Sequence, residues 1–284
     1  MLVTGKIIEA RQYLESFQTA GQSVGFVPTM GALHAGHLDL VKRSCMENDI
    51  AVCSIFVNPI QFNNQEDLAR YPRTLDDDLR MLEETGCDLV FIPAVDEMYP
   101  GPVTEKYDFG NLEKVMEGAH RPGHFNGVAV VVRKLFDIFR PDRAYFGEKD
   151  FQQLRIIQSL VKKELLPVKI IPCPTVREHD GLAMSSRNRR LSLEERAIAP
   201  EIHKTLLMAK ELAKTLPVED VKMTCQKQLE EKGFIVDYFE ISDIETLQPI
   251  ENWEGSVGII ACVAAFLGPV RLIDNIILFR TFAG

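Results

Sequence analysis

"FVPTMGALHAGHLDLV", residues 26–41, joins an apolar run to an amphipathic one through two glycines and two histidines. On its left flank "SVGFVP" (23–28) reads as a short buried strand, and on its right Leu38, Val41 and Cys45 follow helical spacing. "PTMGALHAGH" is then the loop that carries the chain from a strand into a helix. In an open parallel sheet, ligands bind beyond the carboxyl ends of the strands, where such loops lie. Gly31 and Gly36 let backbone approach a ligand closely. A helix starting near Gly36 turns unpaired N–H groups and a positive dipole end toward an anion, and His34 and His37 add side-chain donors. A single histidine at this junction reads as a helix cap; two histidines with two glycines read as a phosphate site.

The first two-thirds of the chain repeats this alternation. Ile7, Ala10, Leu14 and Phe17 mark a helix face, and the near-continuous apolar "IAVCSIFV" (50–57) suits a strand covered on both sides. Leu75, Leu79 and Leu82 mark another helix, ended by Gly86 ahead of "DLVFIP" (88–93). "VAVVVRKLFDIF" (128–139), "RAYFG" (143–147), "FQQLRIIQSLVKKEL" (151–165) and "VKIIPC" (168–173) continue the series. Strands separated by helices require right-handed crossovers, which predicts an α/β, Rossmann-like, doubly wound parallel sheet over residues 1–175. Beyond the polar stretch "REHDGLAMSSRNRRLS" (177–192), helical segments over 194–215 and 218–232 precede "FIVDYFEIS", "VGIIACVAAF" and "VRLIDNIIL". Helices followed by consecutive strands predict a smaller α+β C-terminal domain over 176–284.

Composition narrows the partners. With 46% hydrophobic residues, a chain of 284 can bury about three quarters of its unfolded surface. Its 32 basic and 41 acidic residues, net charge -9, make no sequence-wide basic field for nucleic acid, so small molecules are the expected partners. The six cysteines form no CxxC pair and no Cys/His cluster at zinc spacing, and read as reduced core thiols of a cytoplasmic protein. "MLVTGKIIEARQYL" is too charged for a secretory signal, and no apolar run reaches about 18 residues, so no membrane association is predicted.

His34-Ala35-Gly36-His37 is an HxGH sequence, similar to the phosphate-binding signature of the nucleotidylyltransferase and class I aminoacyl-tRNA synthetase superfamily. "PTMGALHAGH", together with "SIFVNPIQF" (54–62), "YPRTLDDD" (71–78), "RPGHFNGVAVVVRKLF" (121–136), "AYFGEKDFQQL" (144–154) and "MSSRN" (184–188), resembles the pantoate–β-alanine ligase (pantothenate synthetase) family. These blocks follow the family's order; the residues beyond them carry no further block.

The resemblance implies an ATP-dependent, AMP-forming ligase of the coenzyme A pathway. Pantoate carboxylate attacks the α-phosphorus of ATP, and the amine of β-alanine displaces AMP from pantoyl adenylate to give pantothenate. The resemblance also implies Mg²⁺, a homodimer and a second domain that closes over the site. It assigns Met30, Gly31, Ala32, Leu33, His34, Ala35, Gly36, His37, Gly147, Glu148, Lys149 and Asp150 to ATP, with Val176, Met184, Ser185, Ser186 and Arg187. It assigns Gln61 and Gln153 to pantoate, and Gln61 with Asn58 to β-alanine.

The residue types suit that chemistry. A carboxylate attacking a triphosphate faces charge repulsion, and His34, His37, Lys149 and Arg187 are donors able to relieve it. Primary amides both donate and accept, so Asn58, Gln61 and Gln153 can orient a hydroxy acid without adding charge. "HDGLAMSSRN" (179–188) reads as a flexible loop at the domain junction. Asp76, Asp77 and Asp78 lead a helix, where acids suit the dipole with or without a metal; because Mg²⁺ often leans on phosphates and water, no metal ligand is assigned. An adenylyltransferase acting on another acceptor and a non-enzymatic ATP sensor remain as alternative readings, whereas the short chain and acidic balance disfavour a tRNA synthetase.

Overall fold

The computed structural model describes residues 1–280. The chain divides into two compact units: residues 1–110, 121–148 and 153–174 form the first, and residues 111–120, 149–152 and 175–284 the second.

The first unit is built on six parallel strands: β1 (Leu2–Thr4), β2 (Val24–Thr29), β3 (Ile50–Ile55), β4 (Leu89–Phe91), β5 (Arg143–Gly147) and β6 (Lys169–Cys173). Their order in the sheet is β1-β4-β3-β2-β5-β6. The order reverses between β2 and β5, which pair through Gly25↔Arg143 and Phe26↔Ala144, so the carboxyl ends of these two strands flank the topological switch point. Every residue of β3 is buried, the consequence of helices on both faces. Strand β1, paired to β4 through Leu2↔Leu89, was not anticipated: three residues are too few to show a period.

The second unit carries an antiparallel sheet, β7 (Ile235–Asp243), β8 (Gly258–Leu267) and β9 (Val270–Arg280), with β8 central. Helices Glu201–Leu212 and Val218–Glu231 cover it through Leu206, Val221, Cys225 and Leu229. The single helix expected over 194–215 is two, Leu193–Ile198 and Glu201–Leu212. Pro200 between them lacks the N–H that a continuous helix would use.

The unit boundary differs from chain order. A break near residue 176 was expected, and the chain passes into the second unit after Pro174; however, residues 111–120 and 149–152 also belong there. Apolar packing is the reason. Met116 and Phe151 share a buried cluster with Leu247, Ile260 and Cys262. Gln152 Nε2 donates to the carbonyls of Leu112 and Val115, and its Oε1 accepts from Glu117 N. Arg271 on β9 bridges Glu117 and Asp237.

Among the described residues no helix is long and apolar enough to cross a membrane. Inside the second unit the fully buried Asp274 carboxylate accepts from Arg177 Nη1 at 2.6 Å and Nη2 at 3.0 Å, and from Asn275 N at 2.8 Å. Arg177→Ala leaves that carboxylate buried without its cation and is expected to cost about 3–5 kcal/mol in urea unfolding. Adding Asp274→Leu to it should recover a large part of the loss.

Candidate active site

Strand β2 ends in a turn that its sequence alone would not hold. The Thr29 hydroxyl donates to Ser54 O on β3 at 2.7 Å and accepts from Gly31 N at 3.2 Å. The chain then enters the left-handed region at Gly31, φ +80°, and again at Ala32, φ +49°. For an alanine this costs on the order of 1–2 kcal/mol. Asp78 supplies the compensation: its carboxylate, only 1% exposed, accepts from Ala32 N and Leu33 N, each at 2.8 Å, and from the Thr74 hydroxyl at 3.0 Å. A Cβ on Gly31 would stand 3.1 Å from that same carboxylate, a tight contact that adds to the preference φ already gives glycine.

The turn delivers His34 in an extended conformation at the N-cap of helix Ala35–Glu47, where its Nδ1 accepts from Gly36 N at 3.1 Å. A backbone N–H can only donate, so Nδ1 carries no proton and the neutral ring holds its proton on Nε2. Capping therefore does not compete with ligand binding; it sets the tautomer in which Nε2 is a donor. His37 lies in the first turn of the helix, its ring centroid 4.1 Å from that of His34. Both rings are half-buried, as are Met30 and Gly36, while Ala35 is exposed. Helix dipole and paired imidazoles together form a donor-rich corner suited to a phosphate.

Asn58 and Gln61 follow β3, in and before the short turn Pro59–Gln61. Asn58 Nδ2 donates to Gln61 Oε1 at 2.9 Å, and Gln61 Nε2 donates to the Met30 sulfur at 3.2 Å. The amides are thus joined to the histidine turn within one unit. Two further residues, to which the sequence reading assigned no part, hold this corner. His124 Nδ1 donates to the Gln61 carbonyl at 2.8 Å, and Tyr99 OH donates to Asn58 Oδ1 at 2.9 Å. Gly147 and Glu148 lie at the end of β5, and no atom falls within 4 Å of where a Gly147 Cβ would be. Gln153 is half-buried on helix Phe151–Lys163.

Lys149, Asp150, Val176, Met184, Ser185, Ser186 and Arg187 belong to the second unit. Lys149 Nζ lies 4.0 Å from Asp150, and the Lys149 carbonyl accepts from Asn275 Nδ2 at 2.9 Å. The segment read as a flexible loop is hydrogen-bonded: Met184 N donates to Val176 O at 3.0 Å, Arg177 bridges Ala183, and Ser185 Oγ accepts from Arg187 N at 3.2 Å. Val176 and Met184, eight residues apart, are partners in this hairpin.

The acidic run divides its tasks. Asp78 is committed to the turn, and Asp77 lies 3.4 Å from Arg80. Among the described residues no group of three or more His, Cys, Asp or Glu side chains is placed to hold a metal ion. Thiolate chemistry is also unfavourable: burial pushes the thiols of Cys87 and Cys225 up to about 12.

The family model described as pantoate-beta-alanine ligase matches residues 2–277. The chain belongs to the pantoate–β-alanine ligase family. The pantothenate synthetase of Bacteroides thetaiotaomicron is 51% identical over 277 residues, 97% of this chain and 98% of that one. A crystal structure of pantothenate synthetase from Thermus thermophilus matches with a TM-score of 0.92 at 45% identity, covering 98% of this chain and 100% of that one. The pantoate-beta-alanine ligase of Francisella tularensis, described as complexed with beta-gamma ATP and beta-alanine, has a TM-score of 0.83 at 35% identity, with 98% of each chain covered.

Asp78 has a measurable part in this ligase fold. In Asp78→Asn one acceptor oxygen becomes an NH₂ group facing a backbone N–H. Denaturant unfolding should show a loss of about 1–3 kcal/mol, and ligase activity of the folded enzyme should fall at least as steeply as that of Thr74→Val, which leaves both backbone bonds to the turn intact.

Proposed function

We propose that this chain joins pantoate to β-alanine in an ATP-driven, AMP-forming reaction, through a pantoyl adenylate made at the His34–His37 corner. The observation that carries the reading is the capped His34. Its Nε2–H donor is set in advance at the N-terminus of a 13-residue helix, next to the Met30–Gln61 contact. Charge that grows on a phosphate there meets donors already in place, which is the most effective form of electrostatic catalysis.

In the first step a carboxylate oxygen of pantoate bonds to the α-phosphorus of ATP while the bond to pyrophosphate breaks. His34 and His37 donate to phosphate oxygens, and Lys149, Ser185, Ser186 and Arg187 of the second unit add donors for the departing pyrophosphate. Met30–Ala35 and Gly36, Gly147, Glu148, Asp150, Val176 and Met184 complete the nucleotide's surroundings. Gln61 and Gln153, with Asn58 behind Gln61, orient pantoate by its oxygens. In the second step the β-alanine amine attacks the acyl carbon, the bond to AMP breaks, and the amine gives up a proton. Closure of the second unit during the first step would protect the mixed anhydride from water. The proposal places the enzyme in the cytoplasm as a homodimer and treats Mg²⁺ as an ion carried by the triphosphate.

Isotope exchange between pyrophosphate and ATP tests the first step, and it should require pantoate. Exchange that another carboxylic acid or a nucleotide supports in pantoate's place overturns the assignment. In His37→Ala, pantoate-dependent exchange should drop by about 100-fold or more, with an unchanged melting temperature. Near-normal exchange removes His37 from the phosphate site.

A further inference from the structure

We infer that Tyr99 is a positioning residue that holds Asn58, oriented by the Gly127 carbonyl, so that the Gln61 amide it pairs with presents a hydrogen-bond donor to a substrate oxygen. The inference rests on the reading of Gln61 as a pantoate contact and adds a direction to it.

The direction comes from a group that has no choice. The Gly127 carbonyl can only accept, and it lies 3.1 Å from an amide atom of Asn58, which must therefore be Nδ2. Asn58 is 1% exposed, so its orientation is not exchangeable with solvent. With Nδ2 on Gly127, Oδ1 faces the Tyr99 hydroxyl at 2.9 Å, and that hydroxyl must donate. The second Nδ2 proton goes to Gln61 at 2.9 Å, so the facing atom of Gln61 is Oε1. Gln61 Nε2 is thereby turned to the Met30 sulfur at 3.2 Å, a weak acceptor that a carboxylate or hydroxyl oxygen would outcompete.

Close packing keeps the relay in register. A Cβ on Gly127 would meet Ile60 O at 2.6 Å and Gln61 Cα at 2.8 Å, so only glycine lets the helix His124–Phe139 approach the turn this closely. Tyr99 is itself held, its ring centroid 6.1 Å from that of Phe56 and 5.5 Å from Lys134 Nζ. Burial, followed by the charge of Glu105, raises the phenol above its ordinary pKa, which keeps it a donor.

Pantoate-dependent exchange, measured in Tyr99→Phe, Gln61→Leu and Gln61→Glu with melting curves for each, tests the relay. Tyr99→Phe removes one oxygen and should raise the KM for pantoate about tenfold, with the KM for ATP and kcat within about twofold of the parent, while the acceptor left open on buried Asn58 lowers the melting temperature by a few degrees. Gln61→Glu should bind pantoate no better than Gln61→Leu, because its second carboxylate oxygen repels the substrate oxygen. If Gln61→Leu leaves the pantoate KM unchanged, the reading of Gln61 fails and the relay falls with it. If Gln61→Leu raises that KM while Tyr99→Phe does not, or if Gln61→Glu binds as well as the parent, the relay alone is overturned. Equal rises in the ATP and pantoate KM for Tyr99→Phe would show a merely structural hydroxyl and also overturn it.

Discussion

Two backbone N–H groups and one buried carboxylate hold the histidine corner of this protein. Ala32 N and Leu33 N point into a turn whose left-handed residues would otherwise relax, and Asp78 receives both. Without that acceptor the turn has two buried unsatisfied donors and an alanine in a costly conformation. With it, Leu33 is seated in the core cluster with Val27 and Val41, His34 falls at the helix N-cap, and the helix dipole is aimed from a stable base. The carboxylate comes from a helix more than 40 residues downstream, so the site depends on the packing of that helix across β2 and β3.

A second theme is that backbone groups decide side-chain polarity. Gly36 N–H fixes the tautomer of His34, and the Gly127 carbonyl fixes the orientation of Asn58 and, through it, of Gln61. Histidines and amides are ambivalent residues that can donate or accept. Each gains one meaning here because its neighbour is a main-chain atom with no alternative. The reaction proposed needs donors toward negative oxygens at both places, and that is the polarity both constraints produce.

The fold class was readable wherever local pattern sufficed. The strand–glycine–helix form of residues 26–41 and the apolar run at 50–57 led to a parallel doubly wound sheet, and six of the nine strands among the described residues form it. The HxGH residues fell at the junction between β2 and the helix that His34 caps. Less legible was Asp78, because three consecutive acids at a helix start look alike in sequence and only burial separates Asp78 from Asp77. Tyr99 and His124 were invisible as site residues for a related reason: each acts through one hydrogen bond to a segment about 40 to 60 residues away. The split of residues 111–120 and 149–152 from their sequence neighbours was equally hidden, since Met116 and Phe151 are ordinary apolar residues until their cluster is known.

The amino-acid sequence by itself determined the alternation of elements, the class of sheet and the family, because each of these is written in short-range periodicity or contiguous motif. Tertiary structure alone decided which aspartate anchors the histidine turn, which ring nitrogen of His34 bears the proton and which end of Gln61 faces Asn58. Those choices are made by hydrogen bonds between atoms distant in the chain, whose direction is set by backbone donors and acceptors that only folding brings into reach.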